Sequence, residues 1–225
     1  MAATRPPRHG GDEAKAGHSS TREMFESICV AVILAFFVRT FVVQAFKIPS
    51  GSMEPNLLIG DHLLVNKFVF APTLTSLERT LLPIAPIRRG DIMVFKYPED
   101  PSRDFIKRVI GMPGDTIEMR HKKVYVNGRP LDEPYVHFLY PPQDGGSSAP
   151  DIEDGDLRES FAPMTVPADK YFMMGDNRDN SQDSRWWGFL DRDHVKGKAL
   201  FIYFSFGEGG GIANVRWSRL LHQIH

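Results

Sequence analysis

Residues 91–128, DIMVFKYPEDPSRDFIKRVIGMPGDTIEMRHKKVYVNG, break into four short apolar-rich runs separated by turn residues. The runs are 91–97 (DIMVFKY), 104–110 (DFIKRVI), 116–119 (TIEM) and 123–126 (KVYV). Val, Ile, Phe and Tyr dominate them, side chains that pack well on a pleated surface. Gly90-Asp91 and Gly114-Asp115 punctuate the series, and Asn127-Gly128 after Val126 is a strong hairpin signal, because a tight two-residue turn needs positive φ twice. Outward from this stretch, residues 62–70, 166–174 and 195–205 read as further strands. Nothing beyond Phe46 keeps a long 3.6-residue apolar period, so the fold is expected to be mainly β. Residues 71–89 read as a long connection and 214–225 (NVRWSRLLHQIH) as one short terminal helix. Residues 130–163, with YPPQDGGSSAP and the acidic DIEDGDLRE, read as a variable excursion that adds little core.

Three segments organise the chain. Residues 1–23 are rich in Pro, Gly, Ser and charge, and are expected to form a disordered tail. Residues 24–45 carry the one long apolar run, MFESICVAVILAFFVRTFVVQA. A helix of twenty such residues is about 30 Å long, the thickness of a bilayer core. The run is therefore expected to be a single transmembrane anchor, with Arg39 snorkelling near its outer end. A cleaved leader ending near Val43-Gln44-Ala45 is the competing reading. It is disfavoured by the long polar tail, by Glu23 and Glu26, and by Arg39 ahead of the site. With Arg5, Arg8, Lys15 and Arg22 in it, the tail is expected on the cytoplasmic side by the positive-inside rule. Residues 46–225 form the β-rich domain. A net charge of -1 gives no reason to expect nucleic acid as a partner, and the lone Cys29 excludes an internal disulfide and a cysteine zinc cluster.

No His-x-x-x-His, Cys-x-x-Cys, G-x-S-x-G or Walker A pattern occurs, so no metal or nucleotide cofactor is expected. Residues 48–58 (IPSGSMEPNLL) present Ser50 and Ser52 on a loop that Pro49, Gly51 and Pro55 keep irregular. The eight histidines are scattered, so a serine nucleophile here needs another base. A lysine serves once burial has removed its proton, because desolvation penalises the ammonium form. In DFIKRVIG, strand alternation puts Lys107 between Phe105 and Val109, with Ile106 and Arg108 opposite. The polar stretch GDNRDNSQDSR (175–185) offers Ser181 or Ser184 to orient such a lysine, and Asp176 or Asp183 to pair with Arg108, Arg178 or Arg185.

Five blocks in this order resemble bacterial type I signal peptidase, the membrane-bound Ser/Lys endopeptidase that removes signal peptides from exported proteins. They are PSGSMEPNL (49–57), GDHLLVNK (60–67), RGDIMVFKYPEDP (89–101), DFIKRVIGMPGD (104–115) and MGDNRDNSQDSRWWG (174–188). The resemblance implies a β-rich catalytic domain behind one anchor, in the bacterial cytoplasmic membrane, with the catalytic side outward. It implies Ser52 as nucleophile, Lys107 as general base, and Ser50 with the Ser52 amide as oxyanion donors. By the same resemblance Ser181 orients the lysine, and Asp176 with Arg108 and Asp183 with Arg185 support it. Phe46, Ile48, Met53, Val94 and Ile106 fall where the family lines shallow pockets for small residues at substrate positions −1 and −3. The implied partners are signal peptides of secreted precursors and membrane lipid; no cofactor is implied. Asn56 departs from the family, standing where threonine is common, and residues 130–163 have no counterpart that can be aligned. The competing readings are a membrane-anchored β-rich binding module without catalysis, and a Ser/Lys protease of the self-cleaving repressor class. The second lacks a DNA-binding domain.

Overall fold

The computed structural model describes residues 16–37, 43–67, 86–140, 156–207, 209 and 214–224. They form helix α1 (Ala16–Phe37) and strands β1 (Val43–Lys47), β2 (Asp61–Asn66), β3 (Ile92–Lys96), β4 (Asp104–Gly111), β5 (Thr116–Arg120), β6 (Lys123–Val126) and β7 (Arg129–Pro130). Then come β8 (Phe161–Thr165), β9 (Lys170–Met174), the one-turn helix α2 (Ser184–Trp187), β10 (Leu190–Asp191), β11 (Val195–Ser205) and β12 (His222–Gln223). The chain divides into two units, Met1–Phe41 and Val42–His225.

Within the first unit, α1 starts at Ala16, inside the segment expected to be a tail. Its first turns, AGHSSTRE, are polar. From Ile28 the apolar side chains Ile28, Val30, Val32, Ile33, Leu34 and Phe36 are all exposed, so the helix is hydrophobic on every side. Among the described residues no helix is long and apolar enough to cross a membrane. The physical reason is length: Ile28 to Phe37 spans only about 15 Å at ~1.5 Å per residue. Residues 38–42, Arg39 among them, lie outside the described residues, as do 1–15. Residues 43–45, expected at the end of the anchor, are instead the start of β1.

The second unit is β, as expected. Its larger sheet runs β1-β2-β11-β3-β4-β9-β10, with β12 on β11, and a four-stranded sheet runs β7-β6-β5-β8. All neighbouring pairs are antiparallel. Asn127 and Gly128 both take positive φ, 52° and 74°, and close β6 on β7 as their sequence demands. Alternation explains why β3 is apolar at four successive positions: both of its faces are buried. Ile92 and Val94 join one core with Ile48, Met53, Leu57, Leu63, Val65 and Ile106. Met93 and Phe95 join another with Val109, Tyr171 and Met173. A third core, around Ile117, Phe161 and Phe172, fills the smaller sheet.

Three expectations need correction. The C-terminal segment is a 3-10 turn, Trp217–Arg219, followed by β12 paired to β11, not a helix. Trp217, Leu220, Leu221 and Ile224 have helical spacing, but Trp217 and Leu221 stay exposed, and the edge of β11 offers the backbone ready partners. The expected strand 62–70 ends at Asn66, with 68–70 outside the described residues. The excursion 130–163 is no mere surface loop, since its first residues pack on the polar stretch 175–185. There His137 N–H donates to the Asp176 carbonyl at 2.8 Å, and Arg178 N–H to the His137 carbonyl at 3.0 Å. Residues 141–155 and 71–85 lie outside the described residues.

Candidate active site

Ser52 lies in a 3-10 turn, Gly51–Met53, that follows β1 directly. Met53 is fully buried and anchors the turn in the first core. From the polar stretch, Asn177 N–H donates to the Ser52 carbonyl at 3.1 Å and Asn177 Nδ2 to the Gly51 carbonyl at 3.2 Å. Gly175 makes the approach possible: a Cβ there would lie 2.5 Å from the Ser52 carbonyl oxygen and 2.3 Å from Ser181 Oγ.

Lys107 reaches this turn from β4. Its Nζ stands 2.7 Å from Ser52 Oγ and donates to the Ile106 carbonyl at 2.9 Å. The lysine is only 3% exposed. It pairs across the sheet with Met93 and lies 5.2 Å from the Phe105 ring centroid, the apolar setting that alternation anticipated. Burial drives its pKa from 10.5 down to about 8, with help from Arg185 and against the pull of Asp183 and Asp176. A weakly basic amine in contact with a hydroxyl is the arrangement that removes a proton from serine near neutral pH.

Two buried ion pairs frame the lysine. Arg108 Nε and Nη2 grip Asp176 Oδ1 and Oδ2 at 2.8 and 2.7 Å, while Arg108 Nη1 donates to the Gly90 carbonyl. The Arg108 guanidinium also stacks over the Tyr135 ring at 3.9 Å. Arg185 Nε and Nη2 grip Asp183 at 2.8 Å each, and the Gly175 amide adds a bond at 3.0 Å. Burial raises the Asp183 carboxyl pKa, but the Arg185 charge and these hydrogen bonds outweigh it, so the net direction is down. Asp183 also accepts from the Arg185 N–H, capping α2. The residues alone leave the partner choice open and the family resemblance implies one answer; the fold pairs Asp176 with Arg108 and Asp183 with Arg185. Arg178 goes to Glu133, in the excursion.

The serines are placed less uniformly. Ser184 Oγ accepts from the Met173 N–H at 2.9 Å, away from the lysine. Ser181 Oγ is buried against Gly175 and takes no hydrogen bond from Lys107. Ser50 is exposed and extended at the start of the 3-10 turn, with no capping bond from its hydroxyl. Of the five pocket residues, Ile48, Met53, Val94 and Ile106 fall in one core, with Phe46 packed against it. The four core residues are buried, so they make a floor, while Phe46 is half-exposed on β1, the end strand of the larger sheet. Among the described residues no group of three or more His, Cys, Asp or Glu is placed to hold a metal ion.

Sequence reasoning missed Asn177, Gly175, Glu133, Tyr135 and the cluster around Asp61. That carboxylate is fully buried and accepts from Leu58 N–H, Ser205 Oγ and Arg219 at 2.6–3.1 Å. It ties the loop after Ser52 to β11 and to the C-terminal segment. The one available sign is the GD pair at Gly60-Asp61, which by itself marks only a turn.

Comparison with known proteins gives a consistent picture. The family described as signal peptidase, peptidase S26, matches residues 21–204. Signal peptidase I of Pseudomonas aeruginosa is 38% identical over 207 residues, covering 82% of this chain and 72% of that protein. Signal peptidase I of Aquifex aeolicus is 34% identical over 228 residues, covering 82% of this chain and 84% of that protein. A solved structure of a signal peptidase I from Enterococcus faecalis V583 is 33% identical, with a TM-score of 0.40, covering 51% of this chain and 97% of that one.

Proposed function

The chain belongs to the signal peptidase family, peptidase S26, and is a serine endopeptidase that cleaves signal peptides; from this we propose that Ser52 and Lys107 form its catalytic dyad. The observation that carries the proposal is the 2.7 Å contact between Lys107 Nζ and Ser52 Oγ in a buried setting. The neutral amine takes the hydroxyl proton as Oγ bonds to the carbonyl carbon of the −1 residue. The oxyanion that forms is met by the Ser52 N–H, which has no partner within its own 3-10 turn, and by the Ser50 hydroxyl. The ammonium then protonates the departing amine as the peptide C–N bond breaks, leaving the signal peptide esterified to Ser52. Water attacks that ester, with Lys107 taking its proton and returning it to Ser52 Oγ as the ester C–O bond breaks.

The substrate joins as an extended strand beside β1, whose outer edge has no strand partner among the described residues. Main-chain hydrogen bonds hold it, and the shallow floor under Phe46 admits only small side chains at −1 and −3. The enzyme acts from the membrane, through the apolar segment that begins at Met24 and ends before β1, in which α1 exposes its hydrophobic side chains on all sides. The tail is cytoplasmic and the catalytic domain lies on the outer face of the bacterial cytoplasmic membrane.

The test is detergent-solubilised protein with a precursor carrying Ala at −1 and −3. Changing the −1 Ala to Phe is expected to lower kcat/KM by about 10²-fold or more, the scale at which a small pocket rejects a larger group. Equal cleavage of both precursors would refute the small-residue floor.

Gly175 supplies a second prediction. In Gly175→Ala the new methyl meets the Ser52 carbonyl, which is backbone and moves only with the nucleophile turn. A displacement near 1 Å costs about 10²-fold in rate. The expected result is a fall in kcat of that order with circular dichroism unchanged. A variant as active as wild type would show that the contact does not constrain Ser52.

A further inference from the structure

Asn56 follows Ser52 by four residues and joins three elements that are far apart in sequence. Its Nδ2 donates one hydrogen to the Tyr135 carbonyl at 2.7 Å and the other to Asp176 Oδ2 at 2.8 Å. Its own carbonyl accepts from Arg219 Nη2 at 2.8 Å. The partners stand 79, 120 and 163 residues away, so this one side chain and its peptide bind the nucleophile loop to the excursion, to the polar stretch and to the C-terminal segment. Asp176 Oδ2 is the oxygen that also receives Arg108 Nη2, and Arg108 is the immediate neighbour of Lys107 on β4. A carboxamide suits the position. Both its hydrogens find acceptors, and as a neutral donor it satisfies Asp176 without adding charge beside the lysine.

We infer that Asn56 is a positioning residue for the Ser52–Lys107 pair, acting through Asp176 and Tyr135. The inference rests on the dyad proposed above. By clamping the loop against the Arg108–Asp176 pair, Asn56 fixes the reach of Ser52 Oγ to the amine and keeps water from Nζ. Lys107 is faced by Asp183, Arg185 and Asp176 from the polar stretch, by Ser52 from the loop, and is flanked by Arg108 on its own strand. Its proton affinity therefore reports how dry and how well balanced this enclosure is.

The experiment compares the pH dependence of kcat for precursor cleavage in wild type, Asn56→Ala and Asn56→Asp, with melting curves for each. In Asn56→Ala, kcat is expected to fall about tenfold at neutral pH with KM within a factor of two, and the rising limb to move to higher pH as water reaches the amine. In Asn56→Asp the limb is expected to move further, because a second carboxylate against Asp176 favours the ammonium. Asn56→Ser, which keeps a hydroxyl donor, is expected to lie between wild type and Asn56→Ala, and stands in for the alanine variant if that one does not fold. Wild-type limbs in the variants that fold, with activity lost only in proportion to the unfolded fraction or through KM, would overturn the role. Ser52→Ala is run beside them. If it still cleaves, the dyad itself falls; if it is inert while the Asn56 variants keep the wild-type profile, only the role of Asn56 falls.

Discussion

Ser52→Ala and Lys107→Ala are each expected to lower kcat by about 10⁴-fold or more, and the double variant to lose no more than the worse single one, because a nucleophile and its base act as a unit. Either substitution ends the 2.7 Å contact, and no histidine stands in as a second base among the groups that face the lysine. The pH profile is the sharper readout. With the pKa of Lys107 lowered to about 8, wild-type kcat should rise with pH through that value and flatten above it, since the neutral amine is the active form. A flat profile from pH 6 to 9 with chemistry limiting would contradict a lysine base. Stability should rise with pH as well, over a higher range. The unfolded lysine, near 10.5, binds a proton that the buried one releases near 8, so between these values stability rises with pH. Below pH 8 the buried amine costs roughly 3 kcal/mol at 1.36 kcal/mol per pH unit. Lys107→Met, which keeps the volume and drops the amine, is therefore expected to be inactive yet to melt higher than wild type at pH 7, with the difference vanishing above pH 10.5. A lower melting temperature at pH 7 would show that the contacts to Ser52 and Ile106 outweigh the desolvation.

This cost explains why so much of the site escaped the sequence. Lys107 was readable because its neighbours are local: Phe105 and Val109 set its face by alternation, and strand β4 follows that pattern. Asn127-Gly128 was readable for the same reason, a turn being decided by its own two residues. The enclosure that keeps the lysine dry is made of contacts without period. Asn56 to Asp176, Asn177 to Gly51 and Arg219 to Asp61 span 120, 126 and 158 residues. Such contacts leave no repeat in the sequence, and Asn and Arg at these positions look like ordinary loop residues. Residues 133–137 were hidden more deeply. They sit in a segment whose composition promises solvent, and only the fold brings Tyr135 under Arg108 and Glu133 to Arg178. The C-terminal segment misled because Trp217, Leu220 and Leu221 mimic a helix face, whereas Trp217 and Leu221 are exposed.

Asp183→Asn is expected to destabilise the folded enzyme by about 3–5 kcal/mol at pH 7, the cost of leaving one member of a buried pair without the other. For a domain of this size that is a drop in Tm of roughly 6–20 °C. Asp183 and Arg185 are both fully buried at their side chains, so no solvent takes over the exposed charge. The variant also forfeits one oxygen acceptor shared between Arg185 and the Gly175 amide. The sign of the pH dependence separates this from loss of packing. The carboxyl pKa of Asp183 is depressed in the fold, so its contribution is complete above the unfolded value and disappears as pH falls through the folded one. The gap in Tm between wild type and Asp183→Asn should then narrow as the solution is acidified below about pH 4; a gap independent of pH would assign the loss to shape alone. Activity should respond in the opposite sense to stability. Asp183 and Asp176 hold the proton on Lys107 while Arg185 repels it, so removing the Asp183 carboxylate takes away the larger of the two opposing pulls. Molecules of Asp183→Asn that remain folded should therefore show the rising limb of kcat at lower pH than wild type. A limb displaced to higher pH would mean that water has entered beside Lys107, and that the main service of the Asp183–Arg185 pair is to exclude it.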